Sequence, residues 1–104
     1  MQINLFYKEL PLYPHALEMY RKGETTGSNK ANRRLSQGHL EISAKISREE
    51  EELLVDPQTS GGLLLSIPES PAKQMIHELR TAGVETAAKI GEVILSQNPC
   101  IRVI

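Results

Sequence analysis

The chain has 104 residues, a net charge of -1, 39% hydrophobic and 24% charged residues, and only 4% aromatics with no Trp. That suits one modest soluble domain with a real but small core. It offers neither a global field for nucleic acid or an anionic membrane nor stacking platforms for bases. The single cysteine, Cys100, forms no internal disulfide and fits a reducing, cytoplasmic compartment. The first residues carry no basic n-region or long apolar h-region, so no signal peptide is expected. No apolar run reaches the ~18 residues of a membrane helix.

In chain order, Gln2 to Tyr7 reads as a strand. Leu10-Pro11-Leu12-Tyr13-Pro14 is a stiff connection. Pro14 opens a helix through about Lys22, with Leu17 and Tyr20 inward and Gly23 as its C′ residue. Residues 24–38 read as a polar, irregular loop, long enough to be functional. Leu40, Ile42, Ala44 and Ile46 alternate with polar residues as in a half-buried strand. Ser47 and Glu50 form a capping box, which predicts a short helix from Arg48 to about Leu54 whose acidic first turn complements the dipole.

Between that helix and a fully apolar run stands Asp56-Pro57-Gln58-Thr59-Ser60-Gly61-Gly62. Pro57 biases Asp56 away from helical backbone. The two glycines permit positive φ and close approach. Thr59 and Ser60 add hydroxyls, so the loop is either a plain turn or an oxyanion cradle. It is not a P-loop, because the Gly-Lys-Ser/Thr ending is absent. Leu63 to Ile67 reads as a strand buried on both faces. Ser70 as N-cap and Pro71 at N1 open the clearest helix, whose stripe is Ala72, Met75, Ile76, Leu79 and Ala82, closed by Gly83. Ala87 to Leu95 reads as a strand interrupted by Gly91, and Ile101 to Ile104 as a last short strand. Strands alternating with modest helices make the class α/β or α+β with a mixed sheet.

The polar side chains give no complete catalytic set. His15, His39 and His77 are far apart and read as surface or structural residues. Cys100 reads as a small buried apolar group, and Glu49 to Glu52 as a solvated helix face. Lys22, Lys30, Arg33 and Arg34 cluster around Thr26-Gly27-Ser28-Asn29, which is either a solvated loop or a phosphate-facing patch.

Leu54-Val55-Asp56-Pro57-Gln58-Thr59-Ser60-Gly61-Gly62-Leu63-Leu64 resembles the signature of the C-terminal domain of selenophosphate synthetases (selenide, water dikinases). Leu10-Pro11-Leu12-Tyr13-Pro14-His15-Ala16-Leu17 resembles a further family segment, with His15 where glycine is usual. Thr26-Gly27-Ser28-Asn29 resembles the polar Thr-x-x-Asn loop, and Ile90-Gly91-Glu92-Val93 the closing strand. Aminoimidazole ribonucleotide synthetase and the hydrogenase-maturation dehydratase share the fold without the full motif.

The resemblance implies a three-layer α/β/α unit like the C-terminal domain of aminoimidazole ribonucleotide synthetase. It implies a full-length homodimer that converts ATP, selenide and water to selenophosphate, AMP and phosphate with Mg²⁺. The family's N-terminal ATP-binding domain, with its Cys or selenocysteine loop, has no counterpart in these residues. The chain is therefore expected to be an excised or truncated C-terminal domain, inactive alone and without tight ATP or Mg²⁺ binding. By position, Asp56, Gln58, Thr59, Ser60, Gly61 and Gly62 would face the interdomain cleft and hold phosphate. Thr26, Gly27, Ser28 and Asn29 form a secondary loop, with Arg33 and Arg34 added from charge alone. The alternatives are a free-standing phosphate- or partner-binding module and a fragment of a sister ATP-dependent synthetase.

Overall fold

A computed structural model describes all residues 1–104. The elements are β1 (Gln2–Leu5), α1 (Ala16–Arg21), α2 (Gly27–Ser36), β2 (Leu40–Ile42), α3 (Arg48–Leu54), α4 (Glu69–Thr81), β3 (Gly91–Ile94) and β4 (Ile101–Val103), with a 3-10 turn at Tyr7–Glu9. The four strands form one mixed sheet in the order β2-β4-β1-β3. The first and last strands of the chain, β1 and β4, lie side by side and parallel, with Ile3 opposite Ile101 and Leu5 opposite Val103. β2 is parallel to β4, and β3 antiparallel to β1. The expected α/β class with a mixed sheet is what forms.

Local chemistry explains several boundaries. Ser47 Oγ accepts from the Glu50 amide at 3.2 Å, and Glu50 Oε2 accepts from the Ser47 amide at 2.7 Å, so α3 starts at its capping box. Gly83 closes α4 with φ 98, a left-handed value that glycine adopts without a Cβ penalty. α4 itself begins at Glu69 after Pro68, one residue before the expected Ser70 cap. Gly91 has a steric reason to be glycine. A Cβ there would stand 2.3 Å from the Asn4 carbonyl oxygen, so the glycine lets β3 lie against β1. It starts the strand rather than interrupting it.

Other expectations are corrected. Residues 27–36 are a helix, not an irregular loop, for reasons that lie in its side-chain bonds. The strand expected over Leu40–Ile46 stops at Ile42, where the chain turns toward the α3 cap. The Pro14–Lys22 helix is shortened to Ala16–Arg21 because His15 takes φ 65. Leu63 to Ile67 is not a strand buried on both faces. All five residues are exposed, Leu63 at 91%, and from Pro57 to Ile67 no hydrogen bond is made. A continuous apolar run predicts burial only where a neighbour exists, and Leu63 to Ile67 pairs with none of β1 to β4. Cys100 is half-buried rather than buried, in a shallow apolar recess with Ile3, Val93 and Ile101.

The molecule is open for its size. Its radius of gyration is 14.9 Å, against about 13 Å for a compact domain of 100 residues. Its accessible surface is 8236 Å², where a folded monomer of 11.6 kDa presents about 5,800 Å². Only Gln2, Asn29, Val55 and Val103 are fully buried. Two of these lie in the sheet. The other two, Asn29 and Val55, lie where α1, α2 and α3 meet.

Candidate functional site

That three-helix junction is built around a polar residue. Asn29 is 2% exposed, and every group on its side chain is used. Its carbonyl oxygen accepts from the Thr26 hydroxyl at 2.6 Å and the Thr26 amide at 3.3 Å. Its amide nitrogen donates to Glu52 Oε2 at 3.0 Å, to the Glu52 carbonyl at 3.3 Å and to the Tyr20 hydroxyl at 3.1 Å. Thr26 and Asn29 thus form an Asn version of the capping box, which starts α2. The Tyr20 hydroxyl in turn donates to Asp56 Oδ1. One turn along α2, Asn32 donates to the Val55 carbonyl at 2.9 Å and fixes the residue before Asp56.

The basic residues divide. Arg33 is held by Glu51 and Glu52, each at 2.7 Å, with all three side chains less than one-third exposed. Burial pulls the Arg33 pKa down, but the bonds to the two carboxylates outweigh it and hold the guanidinium above its ordinary value. Arg48 reaches the same carboxylates at 3.4 Å. Glu51 and Glu52 are therefore structural clamps rather than a solvated face. Burial and the Asp56 bond likewise raise the Tyr20 phenol. Glu49 is held below its ordinary value by its own backbone N–H and by Ser47 at the helix start.

Lys30 and Arg34 have no ion pair and are exposed. With Thr26, Gly27 and Arg48 they line a cleft of about 850 Å³ between the start of α2 and β2. Like charges four apart on a helix repel, and a bound anion would relieve that repulsion. The backbone N–H groups of Gly27 and Ser28 also lack partners at the helix start.

The expected site residues are thus partly brought together. Asp56 joins Thr26 and Asn29 through Tyr20, and Arg33 and Arg34 sit on α2 beside them. Gln58 to Gly62 are exposed and make no internal hydrogen bonds. Neither Gly61 nor Gly62 uses positive φ, so the loop is not a preformed nest. Sequence reasoning placed Tyr20 only as an inward helix residue and missed its role in the junction. The Thr26-x-x-Asn29 spacing was the available signal. No group of three or more His, Cys, Asp or Glu side chains comes together as a metal-ion site. No helix is long and apolar enough to cross a membrane.

No family model matches the chain. Relatives match it along nearly its whole length. The selenide, water dikinase of Pelobacter propionicus is 35% identical over 102 residues, which cover 98% of this chain and 29% of that protein. The chain belongs to the selenide, water dikinase family. The same enzyme from Clostridium botulinum is 34% identical over 88% of the chain, and that from Bdellovibrio bacteriovorus 31% over 97%. The chain spans less than one-third of the length of these relatives, between 26% and 29%.

Proposed function

We propose that this chain acts as the C-terminal domain of a selenophosphate synthetase, in an enzyme that makes selenophosphate, AMP and phosphate from ATP, selenide and water. The observation that carries the reading is the match over 98% of the chain but 29% of the relative. In this reading the chain is one domain, inactive alone. An N-terminal domain supplies most of the ATP site, the Mg²⁺-binding residues and the nucleophilic loop, and the whole enzyme is a cytoplasmic homodimer. The open shape and the exposed Leu63–Ile67 run support a surface that a further domain covers.

Within the domain, the Asp56–Gly62 loop and the start of α2 hold phosphate oxygens. Backbone N–H groups of the loop, hydroxyls of Thr59 and Ser60, and the unpaired charges of Lys30 and Arg34 supply the contacts. Tyr20 holds the loop at Asp56, nothing internal holds it from Pro57 onward, and the rest of the enzyme completes it. A second reading, a free-standing phosphate-binding module, draws its support from the cationic cleft alone.

The test is complementation in trans. The remaining segment of the Pelobacter propionicus enzyme is mixed with this chain, and AMP formation from ATP and selenide is followed. The expected result is turnover from the mixture and none from this chain alone. No AMP and no association in the mixture would overturn the domain reading.

A further inference from the structure

Tyr20 has no part in the reading above, yet it stands where the two phosphate-facing segments meet. The side chains Thr26, Asn29, Tyr20 and Asp56 form an unbroken hydrogen-bonded series. Its directions are consistent at every step. The Thr26 hydroxyl donates to the Asn29 carbonyl, the Asn29 amide donates to the Tyr20 oxygen, and the Tyr20 hydroxyl donates to the Asp56 carboxylate. The last bond is charge-assisted, and each bond polarises the next in the same sense. Asn29 at the centre is 2% exposed, so water does not compete there.

The series ends at a mechanical boundary. The Val55 carbonyl is fixed by Asn32 at 2.9 Å, and the Asp56 side chain by Tyr20. From Pro57 onward no internal hydrogen bond exists until α4. Asp56 is therefore the last fixed point of the loop. Pro57 carries that constraint one residue further, because its own φ is locked and it limits the backbone of Asp56. Without the tyrosine hydroxyl, the loop would pivot at Val55.

We propose that Tyr20 is a positioning residue, which ties the Asp56–Gly62 loop to the start of α2 so that the two segments act on one oxyanion together. The phosphate part of this proposal rests on the function proposed above; the positioning part does not. Asp56 Oδ1 is then an anchor for the loop.

The test uses this chain, labelled for amide NMR, with inorganic phosphate as the probe. Tyr20→Phe keeps the ring and removes only the hydroxyl. Without ligand, it should move the amides of Gln58 to Gly62 and of Thr26 to Asn29 together, and leave β1 and β4 in place. Phosphate affinity should fall about tenfold, the size of one hydrogen bond to a charged group. Asp56→Asn, which keeps only a neutral acceptor for the hydroxyl, should fall between the parent and Tyr20→Phe. Asp56→Ala should match Tyr20→Phe, and the double variant should be no worse than either single one. A tyrosine that only packs would not distinguish Asn from Ala at residue 56. Unmoved loop amides in Tyr20→Phe, or losses that multiply in the double variant, would overturn the proposal. If the parent chain takes up no phosphate, the phosphate reading fails, and the ligand-free amides still decide whether Tyr20 positions the loop.

Discussion

The helix junction around Asn29 and the run from Pro57 to Ile67 adjoin in sequence and differ in every physical respect. In the junction the polar groups of Thr26, Asn29, Tyr20, Asp56, Arg33 and Glu52 are bonded to one another. In the run no backbone or side-chain group is bonded to anything, and three consecutive leucines face solvent, Leu65 at 52% exposure. A buried polar group without a partner costs ~1–3 kcal/mol, so the junction is stable only as a complete set. The run has no such set. One motif is satisfied within these 104 residues, and the other is not.

The strongest way to break the comparison is Asn29→Ala. It leaves Tyr20, Thr26 and Glu52 short of a partner and should cost about 3 kcal/mol by denaturant unfolding. A loss under about 0.5 kcal/mol would mean that the junction does not hold the helices. Arg33→Ala comes next, at about 2 kcal/mol, because it removes the two shortest ion pairs and leaves Glu51 and Glu52 only the longer contacts to the exposed Arg48 and, for Glu52, the Asn29 amide. Its neighbour Arg34→Ala should change stability by no more than about 0.5 kcal/mol, since Arg34 has no protein partner. Equal losses from the two would erase the distinction between a clamped and a free arginine.

Smaller effects sharpen the picture. His15 holds φ 65 with only an exposed 2.9 Å contact to Glu18 in compensation. His15→Gly should therefore raise stability by about 0.5 kcal/mol, read as a shift in thermal midpoint. Tyr20 supplies a pH test. Burial and the bond to Asp56 raise its folded pKa above the ordinary 10.0, so its stabilising contribution is complete below pH 10.0 and is lost as pH rises through the folded value. Tyr20→Phe should flatten that part of the alkaline stability profile, and an unchanged profile would place the phenol outside the junction. Leu64→Ser should be nearly neutral, within about 0.5 kcal/mol, because the side chain is 77% exposed and leaves no cavity.

The two regions were also unequally legible in the sequence. α3 and its cap follow from Ser47 and Glu50, a pattern complete within four residues, and they form as expected. α2 was not legible as a helix because its only apolar residues are Ala31 and Leu35, and Leu35 is 81% exposed. Bonds to residues on α1 and α3 hold it, and hydrophobic periodicity does not register such bonds. The failure at Leu63–Ile67 runs the other way. The composition specifies a buried strand, but burial is a property of neighbours, and these residues have none in the sheet. The signature loop was legible as a motif. Its link to α2 was not, because Tyr20 lies 36 residues from Asp56.

Amide hydrogen exchange on the chain alone tests the central contrast most directly. The account predicts slow exchange at the α2 and α3 amides, with Gly61 to Ile67 exchanging at the rate of an unstructured peptide. Protected amides at Leu63 to Ile67 in the chain alone would show that the run already has a partner within the domain. The claim that it waits for the rest of the enzyme would then be wrong.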